Sequence, residues 1–480
     1  MNGRMHFVGV GGIGMSGLAA MALDLGYEVS GSDRGAERPE NRRIFDALRK
    51  SGLELYKQDG SFAASGHKPD FLVYSTAIEA DNPDFAAAGD IPRLHRSQLL
   101  AKLMGELPAG VRRIAVTGSC GKSTVTGYAA ESLLHIGGEP GCLNGALVKN
   151  FISETRAGNY RGVRGGDSFV FEADESDKSL LNYGCDYALI LNLGTDHYDK
   201  AELVRVFGEF LRNVRVGAVL ELEVYRGLAA AKLLPEHLQL RVFGPAGEKD
   251  VTDGLVEYLI VDGPGGARHA AARFADGRTI ALPLPGEHMA LNALAVGALL
   301  KLMGADEAAI PAALEAFGGV WRRNDFAGRF AGTGAVVYDD YAHNPEKIRA
   351  NLDLMRGLVR GNVFAVFQPH GYGPFGFMEQ TLFDYLEQDM RDGDFFILLE
   401  PYYAGGTSSF KPHAAEVCAK WRAASRHPER YLTLSDRDAV RRFLAEHTSP
   451  DDAVAIMGAR DNTLSDYASG LTSFLPTKKK

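Results

Sequence analysis

The sequence has little cysteine, no long apolar run and no excess of positive charge, and each absence excludes a class of protein. The four cysteines, Cys120, Cys142, Cys185 and Cys418, are far apart, which argues against a disulfide framework and a zinc site. No apolar run approaches the roughly 18 residues of a membrane span, and the first residues lack a signal-peptide core. The net charge of −9 gives no general attraction to nucleic acid or anionic lipid. We therefore expect a cytoplasmic protein with no nucleic-acid or membrane partner.

The length and composition predict several globular domains. At 480 residues the chain is too long for one hydrophobic core, and 45% hydrophobic with 24% charged residues is an ordinary globular composition. Short apolar strands alternate with helical stretches, which predicts α/β domains with mainly parallel sheets. We place the domains at 1–108, 109–323 and 324–480.

The most informative stretch follows an apolar strand at 114–116 and reads Thr-Gly-Ser-Cys-Gly-Lys-Ser-Thr over 117–124. Its two glycines let several backbone N–H groups face one anion, while Lys122 supplies a positive charge and Ser123 a hydroxyl for a metal ion. An ordinary glycine-rich turn is the alternative. The residues predicted to bind a triphosphate are Gly118, Ser119, Cys120, Gly121, Lys122, Ser123 and Thr124.

Polar side chains also follow the next strands of the second domain. Glu172 ends the strand at 168–171 and opens an acidic cluster, and His197 follows the strand at 187–191. In an open parallel sheet the carboxyl ends of the strands face the ligand crevice, so both side chains should lie near the phosphates. A solvated charge run and a loop histidine are the alternatives. Ser123, Glu172 and His197 together predict a magnesium site that water completes.

The first domain carries a glycine pattern typical of nucleotide binding. A strand at 6–8 leads to Gly9, Gly11 and Gly14 and then to a helix, and a second strand leads to Asp33. This order brings a pyrophosphate to a helix N-terminus and an acidic side chain to a ribose or base. A dinucleotide and a nucleotide sugar fit the pattern equally well. The residues predicted to bind this ligand are Gly11, Gly12, Ile13, Gly14, Asp33, Ser75 and Thr76.

Four more apolar strands alternate with helical stretches in the last third of the chain and predict a third parallel sheet. They lie at 335–338, 363–367, 394–399 and 453–457. The first two lead to Asp340, His343 and His370, which are therefore candidates for lining a cleft. Arg322 and Arg323, just before this domain, are either exposed hinge residues or phosphate-binding residues.

Taken in order, these stretches resemble the Mur ligases along essentially the whole chain. The resemblance rests on residues 6–16, 31–33, 117–124, 172–177, 196–197, 291–293, 322–323, 340–343 and 367–370. It implies a three-domain α/β fold: a Rossmann-like domain for the UDP of a UDP-muramyl substrate, a central P-loop domain for ATP, and a Rossmann-like domain for an amino acid or peptide. In the implied reaction, a step of peptidoglycan biosynthesis, ATP phosphorylates the carboxylate of UDP-N-acetylmuramate and an amine attacks the acyl phosphate.

The resemblance also implies roles for individual residues. It implies Mg²⁺ as the cofactor, Asn292 near the adenine, Asp340 near the ribose and Arg323 at the phosphates. It further implies rotation of the third domain about residues 323–330, in a monomer or homodimer. The implied catalytic residues are Lys122, Glu172, His197, Arg323 and His343.

Some residues differ from those that the resemblance implies, and these differences bear on which acceptor we expect. Arg212 stands where many Mur ligases have a carbamylated lysine, which favours the alanine-adding subfamily and L-alanine as the acceptor. Gly371 stands where that subfamily usually has an arginine for the carboxylate of the amino acid, and we hypothesise that Arg460 replaces it. The loop at Gly371 would also suit a tripeptide, as in a murein-peptide ligase. A nicotinamide-dependent dehydrogenase and a non-catalytic UDP-sugar sensor are the remaining alternatives.

Overall fold

The computed structural model describes residues 2–38, 41–66, 68–163, 165–194, 199–262, 268–403 and 410–475, and these residues form three sheets. They divide into two compact units. The first unit comprises Met1–Leu259 and Ala271–Trp321, and the second comprises Ile260–Ala270 and Arg322–Lys480. Within the described part of the chain, no helix has both the length and the apolar character that crossing a membrane requires.

The first sheet contains five parallel strands in the order β3-β2-β1-β4-β5. Its elements are β1 (Arg4–Val8), α1 (Ile13–Asp24), β2 (Glu28–Ser32), α2 (Arg42–Lys50), β3 (Glu54–Tyr56), β4 (Phe71–Tyr74), α3 (Pro83–Ala88), β5 (Arg93–His95) and α4 (Arg96–Gly105). The strand order reverses between β1 and β4, and ligands of open α/β sheets bind at such a switch point. The glycine turn after β1 therefore lies at the predicted nucleotide-binding edge.

The second sheet has ten strands in the order β15-β14-β13-β12-β11-β10-β6-β9-β7-β8. Its elements are β6 (Arg112–Thr117), α5 (Lys122–His135), β7 (Gly141–Leu143), β8 (Tyr160–Arg161), β9 (Ser168–Glu172), β10 (Cys185–Ile190), α6 (Lys200–Leu211), β11 (Val214–Glu221), α7 (Leu222–Ala230), β12 (Gln239–Pro245), β13 (Asp253–Asp262), β14 (Arg268–Phe274), β15 (Thr279–Ala281), α8 (Glu287–Leu302) and α9 (Ile310–Glu315). Strand β6 is central and parallel to both neighbours, β9 and β10. Its apolar residues are fully buried because helices cover both faces of such a sheet.

The third sheet belongs to the second unit and has the order β16-β17-β21-β18-β19-β20. Its elements are β16 (Asp325–Arg329), β17 (Val336–Asp340), α10 (Pro345–Leu358), β18 (Val363–Phe367), α11 (Tyr372–Asp389), β19 (Phe395–Leu398), α12 (Ala414–Ala424), β20 (Tyr431–Leu432), α13 (Arg437–His447), β21 (Ala453–Met457) and α14 (Thr463–Leu471). Strand β21 lies between β17 and β18 and is parallel to both, so three carboxyl ends meet at one edge.

The α/β class and the predicted strands are confirmed. Residues 325–329, within the predicted hinge at 323–330, form β16, which pairs antiparallel with β17. The boundary between the two units falls between Trp321 and Arg322. Rotation about residues 323–330 stays a prediction.

Candidate functional site

The predicted triphosphate loop lies between β6 and α5, at the carboxyl end of the central strands. Gly118 and Gly121 adopt φ of 135° and 86°, a region that favours glycine. Asn192, which follows β10, fixes the loop: its Oδ1 accepts from the Cys120 N–H at 2.9 Å and its Nδ2 donates to the Cys120 carbonyl at 3.0 Å. The loop leads into the N-terminus of α5, where backbone N–H groups can bind an anion.

Lys122 points back over this loop and is paired with a buried carboxylate. Its Nζ donates to the Gly118 carbonyl at 2.9 Å and to Oε2 of Glu175 at 2.8 Å. Burial lowers the pKa of Lys122, but the hydrogen bond and negative charge of Glu175 outweigh it and raise the pKa above its ordinary value. The ammonium group is therefore charged and is held by Glu175, whose side chain is only 3% exposed.

Glu172 lies at the end of β9, beside the first turn of α5. Its Oε2 accepts from the Gly145 N–H at 2.9 Å. Burial raises the pKa of Glu172, although hydrogen bonds from the Ser123 hydroxyl and the Gly145 N–H oppose that rise. Ser123 and Glu172, predicted as metal ligands, are thus in contact. His197, the third predicted ligand, lies outside the described residues.

Arg96 is a site residue that the sequence did not indicate. It is the first residue of α4, and its guanidinium lies 3.2 Å from Oδ2 of Asp174 and 3.4 Å from Oδ2 of Asp177. Burial lowers the pKa of Arg96, but the charges of Asp177 and Asp174 together outweigh it and raise the pKa above its ordinary value. The only signal in the sequence was its position after a short strand, at the same edge as the glycine turn.

A cleft of about 70 Å³ joins the glycine turn of the first sheet to Glu172 of the second. Gly14 and Arg96 line one side, and Gly145, Glu172 and Asp174 line the other. Both sides belong to the first unit. The structure therefore brings the predicted nucleotide-binding turn and the predicted metal ligand Glu172 to one crevice.

Asp33 follows β2 and closes against the glycine turn. Its Oδ2 accepts from the Gly11 N–H at 2.9 Å, and its Oδ1 accepts from the Gly35 N–H at 2.7 Å. Ser75 and Thr76 follow β4, the strand beside β1, at the same edge of the sheet. The predicted residues of the first domain therefore surround one end of α1.

Other predicted residues lie close to the loop. The Ser119 hydroxyl accepts from the Gly194 N–H at 2.7 Å, and Thr124 is in the first turn of α5. Asn292, in the first half of α8, lies so close to Gly121 that a Cβ atom there would be 3.5 Å from its Oδ1. An amide at this position can contact a base next to the phosphates.

In the second unit, Asp340 and Arg323 both lie near Tyr341. The two carboxylate oxygens of Asp340 accept from the N–H groups of Asn324 at 2.6 Å and Ala342 at 2.7 Å, and burial raises its pKa. The guanidinium of Arg323 lies 5.6 Å from the centre of the Tyr341 ring. Both predicted residues are thus at the carboxyl end of β17.

His343 and His370 face each other across two neighbouring loops. Their ring centres are 5.2 Å apart at 78°. Burial lowers the pKa of both, that of His370 to about 4. Both rings are therefore neutral near pH 7, and the Nδ1 atom of His370 is buried without a hydrogen-bond partner among the described residues.

Arg322 is buried, so both predicted roles for it, exposed hinge residue and phosphate-binding residue, are wrong. It is 1% exposed, and its Nε donates to both carboxylate oxygens of Asp339 at 3.1 and 3.2 Å. Its terminal nitrogens donate to the carbonyls of Gly458 at 2.6 Å and Asp461 at 3.0 Å. Arg322 therefore ties the end of β17 to the loop after β21.

Replacing Arg322 with alanine is expected to lower the free energy of unfolding of the second unit by about 3–5 kcal/mol, because Asp339 would remain buried without its partner. Denaturant unfolding measures this change. Arg329→Ala is the matched control, since Arg329 is exposed and its guanidinium donates to the Gly334 carbonyl but forms no ion pair among the described residues. Equal midpoints for Arg322→Ala and Arg329→Ala would contradict the role of the ion pair.

Comparison with known proteins shows the family. The model described as "Mur ligase family, catalytic domain" matches residues 4–107, and "Mur ligase, glutamate ligase domain" matches residues 322–460. UDP-N-acetylmuramate--L-alanine ligase of Maricaulis maris is 33% identical over 97% of this chain and 96% of its own. The structure of UDP-N-acetylmuramate-alanine ligase MurC from Thermotoga maritima superposes with a TM-score of 0.75 at 25% identity, covering 98% of both chains. A murein peptide ligase from Psychrobacter arcticus, at 20% identity and a TM-score of 0.59 over 99% of this chain and 100% of its own, shares the fold. The chain belongs to the Mur ligase family.

Proposed function

We propose that this chain is an ATP-dependent ligase of peptidoglycan biosynthesis that joins the carboxylate of UDP-N-acetylmuramate to the amine of an amino acid, with L-alanine as the first candidate. The cleft between the glycine turn and Glu172 carries the proposal, because a nucleotide sugar and a triphosphate bound on its two sides would meet there. The names of the Maricaulis maris and Thermotoga maritima relatives support it. A cytoplasmic location, where ATP is available, accompanies this function.

Each of the three predicted domains binds a different substrate. Residues 1–108 bind the UDP group, with its pyrophosphate at the turn around Gly14. Residues 109–323 bind ATP through the loop that ends at Lys122, with Asn292 at the adenine. Residues 324–480 bind the acceptor amine and supply Asp340 and His343, while Arg323, the last residue of the second domain, contacts the phosphates. The resemblance of the sequence to the Mur ligases and the positions of these residues within their own units support these assignments.

Electrostatics explains why this site needs its cations. A carboxylate is a poor electrophile, so its oxygen attacks the γ-phosphorus of ATP, ADP leaves, and the acyl phosphate is then attacked by the amine with release of phosphate. Two like charges at 4 Å repel by about 4 kcal/mol at an effective dielectric constant of 20. Lys122 at the β- and γ-phosphates and Arg96 beside the nucleotide-sugar turn reduce this repulsion.

Mg²⁺ fits the donors of the site. Ser123 and Glu172 offer a hydroxyl and a carboxylate in contact, and Mg²⁺ typically takes one or two carboxylates together with substrate phosphates and water. The described residues contain no group of three or more His, Cys, Asp and Glu side chains that could hold a metal ion alone. We propose Ser123, Glu172 and His197 as the residues that hold Mg²⁺, which when bound supplies positive charge between the two anions.

Glu175→Gln is expected to tighten the binding of a non-hydrolysable ATP analogue by about tenfold, which corresponds to about 1.4 kcal/mol. The reason is that phosphates must displace Glu175 from Lys122 and leave a buried carboxylate unpaired. Calorimetric titration at fixed Mg²⁺ measures the affinity. Glu202→Gln, in the half-exposed pair with Lys178, is the control. Unchanged or weaker binding by Glu175→Gln would show that Glu175 does not compete with the nucleotide.

Phosphate release tests the function directly. The protein is supplied with ATP, Mg²⁺ and UDP-N-acetylmuramate, and with L-alanine, other amino acids or a murein tripeptide in turn. Release that needs both UDP-N-acetylmuramate and an amino acid supports the proposal. A preference for the tripeptide would instead identify a murein-peptide ligase. This is the second candidate because Gly371 has no side chain and its loop would suit a larger acceptor. No release with any combination would refute the ligase function.

A further inference from the structure

Three adjacent strands of the second unit end at one small area. Strand β17 leads to Tyr341 and His343, β18 leads to His370, and β21 leads to Arg460. The two histidines are neutral near pH 7, as their lowered pKa values require. Fixed positive charge at this edge must therefore come from other side chains.

The loop that carries Arg460 is anchored by hydrogen bonds before and after this residue. Its φ is 66°, a left-handed conformation that residues other than glycine rarely adopt and that concentrates at functional sites. Arg322 fixes the carbonyls of Gly458 and Asp461, and the Arg460 N–H donates to the Tyr341 hydroxyl at 3.3 Å. The fold thus keeps an arginine in an unfavourable backbone conformation at the end of β21.

The guanidinium of Arg460 is available for a ligand. Arg460 is exposed, and within the part of the chain that the structure describes its guanidinium makes no hydrogen bond or ion pair. By contrast, Arg322 is paired with Asp339, and Arg437 with Asp461. The positive charge of Arg460 contributes to the lowered pKa of both His343 and His370, so it acts on the space beside the two rings.

Gly371 cannot supply a cation to this area. It precedes α11 with φ of 80°, and a Cβ atom there would lie 3.3 Å from Cδ of Pro374. A side chain at 371 would therefore be strained by this φ and would crowd Pro374. The loop after β18 therefore offers the imidazole of His370 but no charge, and the charge comes from the neighbouring loop.

We propose that Arg460 binds the free carboxylate of the acceptor amino acid, next to His343 and His370. This inference rests on the proposed function and extends it, because it identifies the acceptor as an amino acid whose carboxylate is recognised by a charge on the loop after β21. A planar guanidinium accommodates a carboxylate through two parallel hydrogen bonds, which discriminates strongly against an uncharged amide.

The test compares L-alanine with L-alaninamide in phosphate-release assays of wild type, Arg460→Ala, Arg460→Lys and Lys347→Ala. Lys347 is the matched control because it is exposed and its charge also reaches His343, but it lies on α10. We expect Arg460→Ala to raise KM for L-alanine by about 10- to 100-fold, to leave kcat/KM for L-alaninamide within about twofold, and to leave KM for ATP and UDP-N-acetylmuramate unchanged. Arg460→Lys should recover part of the loss, and Lys347→Ala should match wild type.

Two results would overturn the inference. One is equal use of L-alanine and L-alaninamide by the wild type, and the other is an Arg460→Ala variant that loses both acceptors equally or neither. Either result leaves the wild-type ligase active, whereas failure of the proposed function would appear as no release that depends on UDP-N-acetylmuramate. Calorimetric titration of L-alanine into the protein with UDP-N-acetylmuramate and a non-hydrolysable ATP analogue gives a second readout, in which Arg460→Ala should abolish the binding heat.

Discussion

Replacing Lys122 with methionine is expected to reduce kcat/KM by at least about 10³-fold in the phosphate-release assay. The variant removes the only side-chain cation that the loop at 117–124 carries, and charge stabilisation of a transferring phosphoryl group contributes effects of about this size. Methionine keeps the length and apolar contacts of the lysine stem. The loss should appear in kcat as well as in KM for ATP, because the charge on the γ-phosphate oxygens is redistributed during transfer.

The control separates catalysis from stability. Lys122→Met leaves Glu175 buried without a cation, which destabilises the fold by itself. The double variant Lys122→Met/Glu175→Gln removes both charges, so it should recover the thermal stability and remain inactive. Lys420→Met, in which a half-exposed lysine paired with Glu379 is replaced, should retain wild-type activity. Recovery of activity in the double variant would contradict the role of Lys122.

The second large effect is expected at Glu172. Glu172→Gln keeps the shape of the side chain and its hydrogen bond with the Gly145 N–H but removes the charge that would hold Mg²⁺. We expect kcat to fall by about 10²-fold or more and the Mg²⁺ concentration for half-maximal activity to rise by about tenfold or more. Activity measured over a Mg²⁺ series gives both values.

A surface glutamate provides the comparison for this variant. Glu139→Gln, in which a half-exposed carboxylate paired with the largely buried Arg161 is replaced, should leave both the rate and the Mg²⁺ requirement unchanged. An unchanged Mg²⁺ requirement in Glu172→Gln would show that this carboxylate does not hold the metal ion.

The strands and the glycine-rich loop at 117–124 could be predicted because their signals are local. An apolar run that breaks into glycines predicts a strand followed by a turn, and the carboxyl-end rule then predicts that Lys122 and Glu172 lie at the same edge of the sheet. Arg96 could not be found this way. Its partners, Asp174 and Asp177, lie 78 and 81 residues further along the chain, and no local pattern indicates such a pair.

Burial and long-range packing explain why the predicted roles of Arg322 were wrong. Arg322 and Arg323 are adjacent and equally charged in the sequence, yet one is 1% exposed in a buried ion pair and the other is not buried. Which of the two arginines faces the core depends on contacts with β17 and with the loop after β21, and both of these come later in the chain. For the same reason the sequence did not predict that Ile260–Ala270 belongs to the second unit.

The central claim is that the carboxylate of the nucleotide sugar attacks the γ-phosphate of ATP. UDP-N-acetylmuramate labelled with ¹⁸O in both carboxylate oxygens tests it most directly, with the released phosphate analysed by mass spectrometry. We expect one ¹⁸O atom in each phosphate, because the amine attacks the acyl carbon and the bridging oxygen leaves with the phosphate. Phosphate without ¹⁸O, with both labelled oxygens retained in the sugar nucleotide or the label found in AMP, would contradict it.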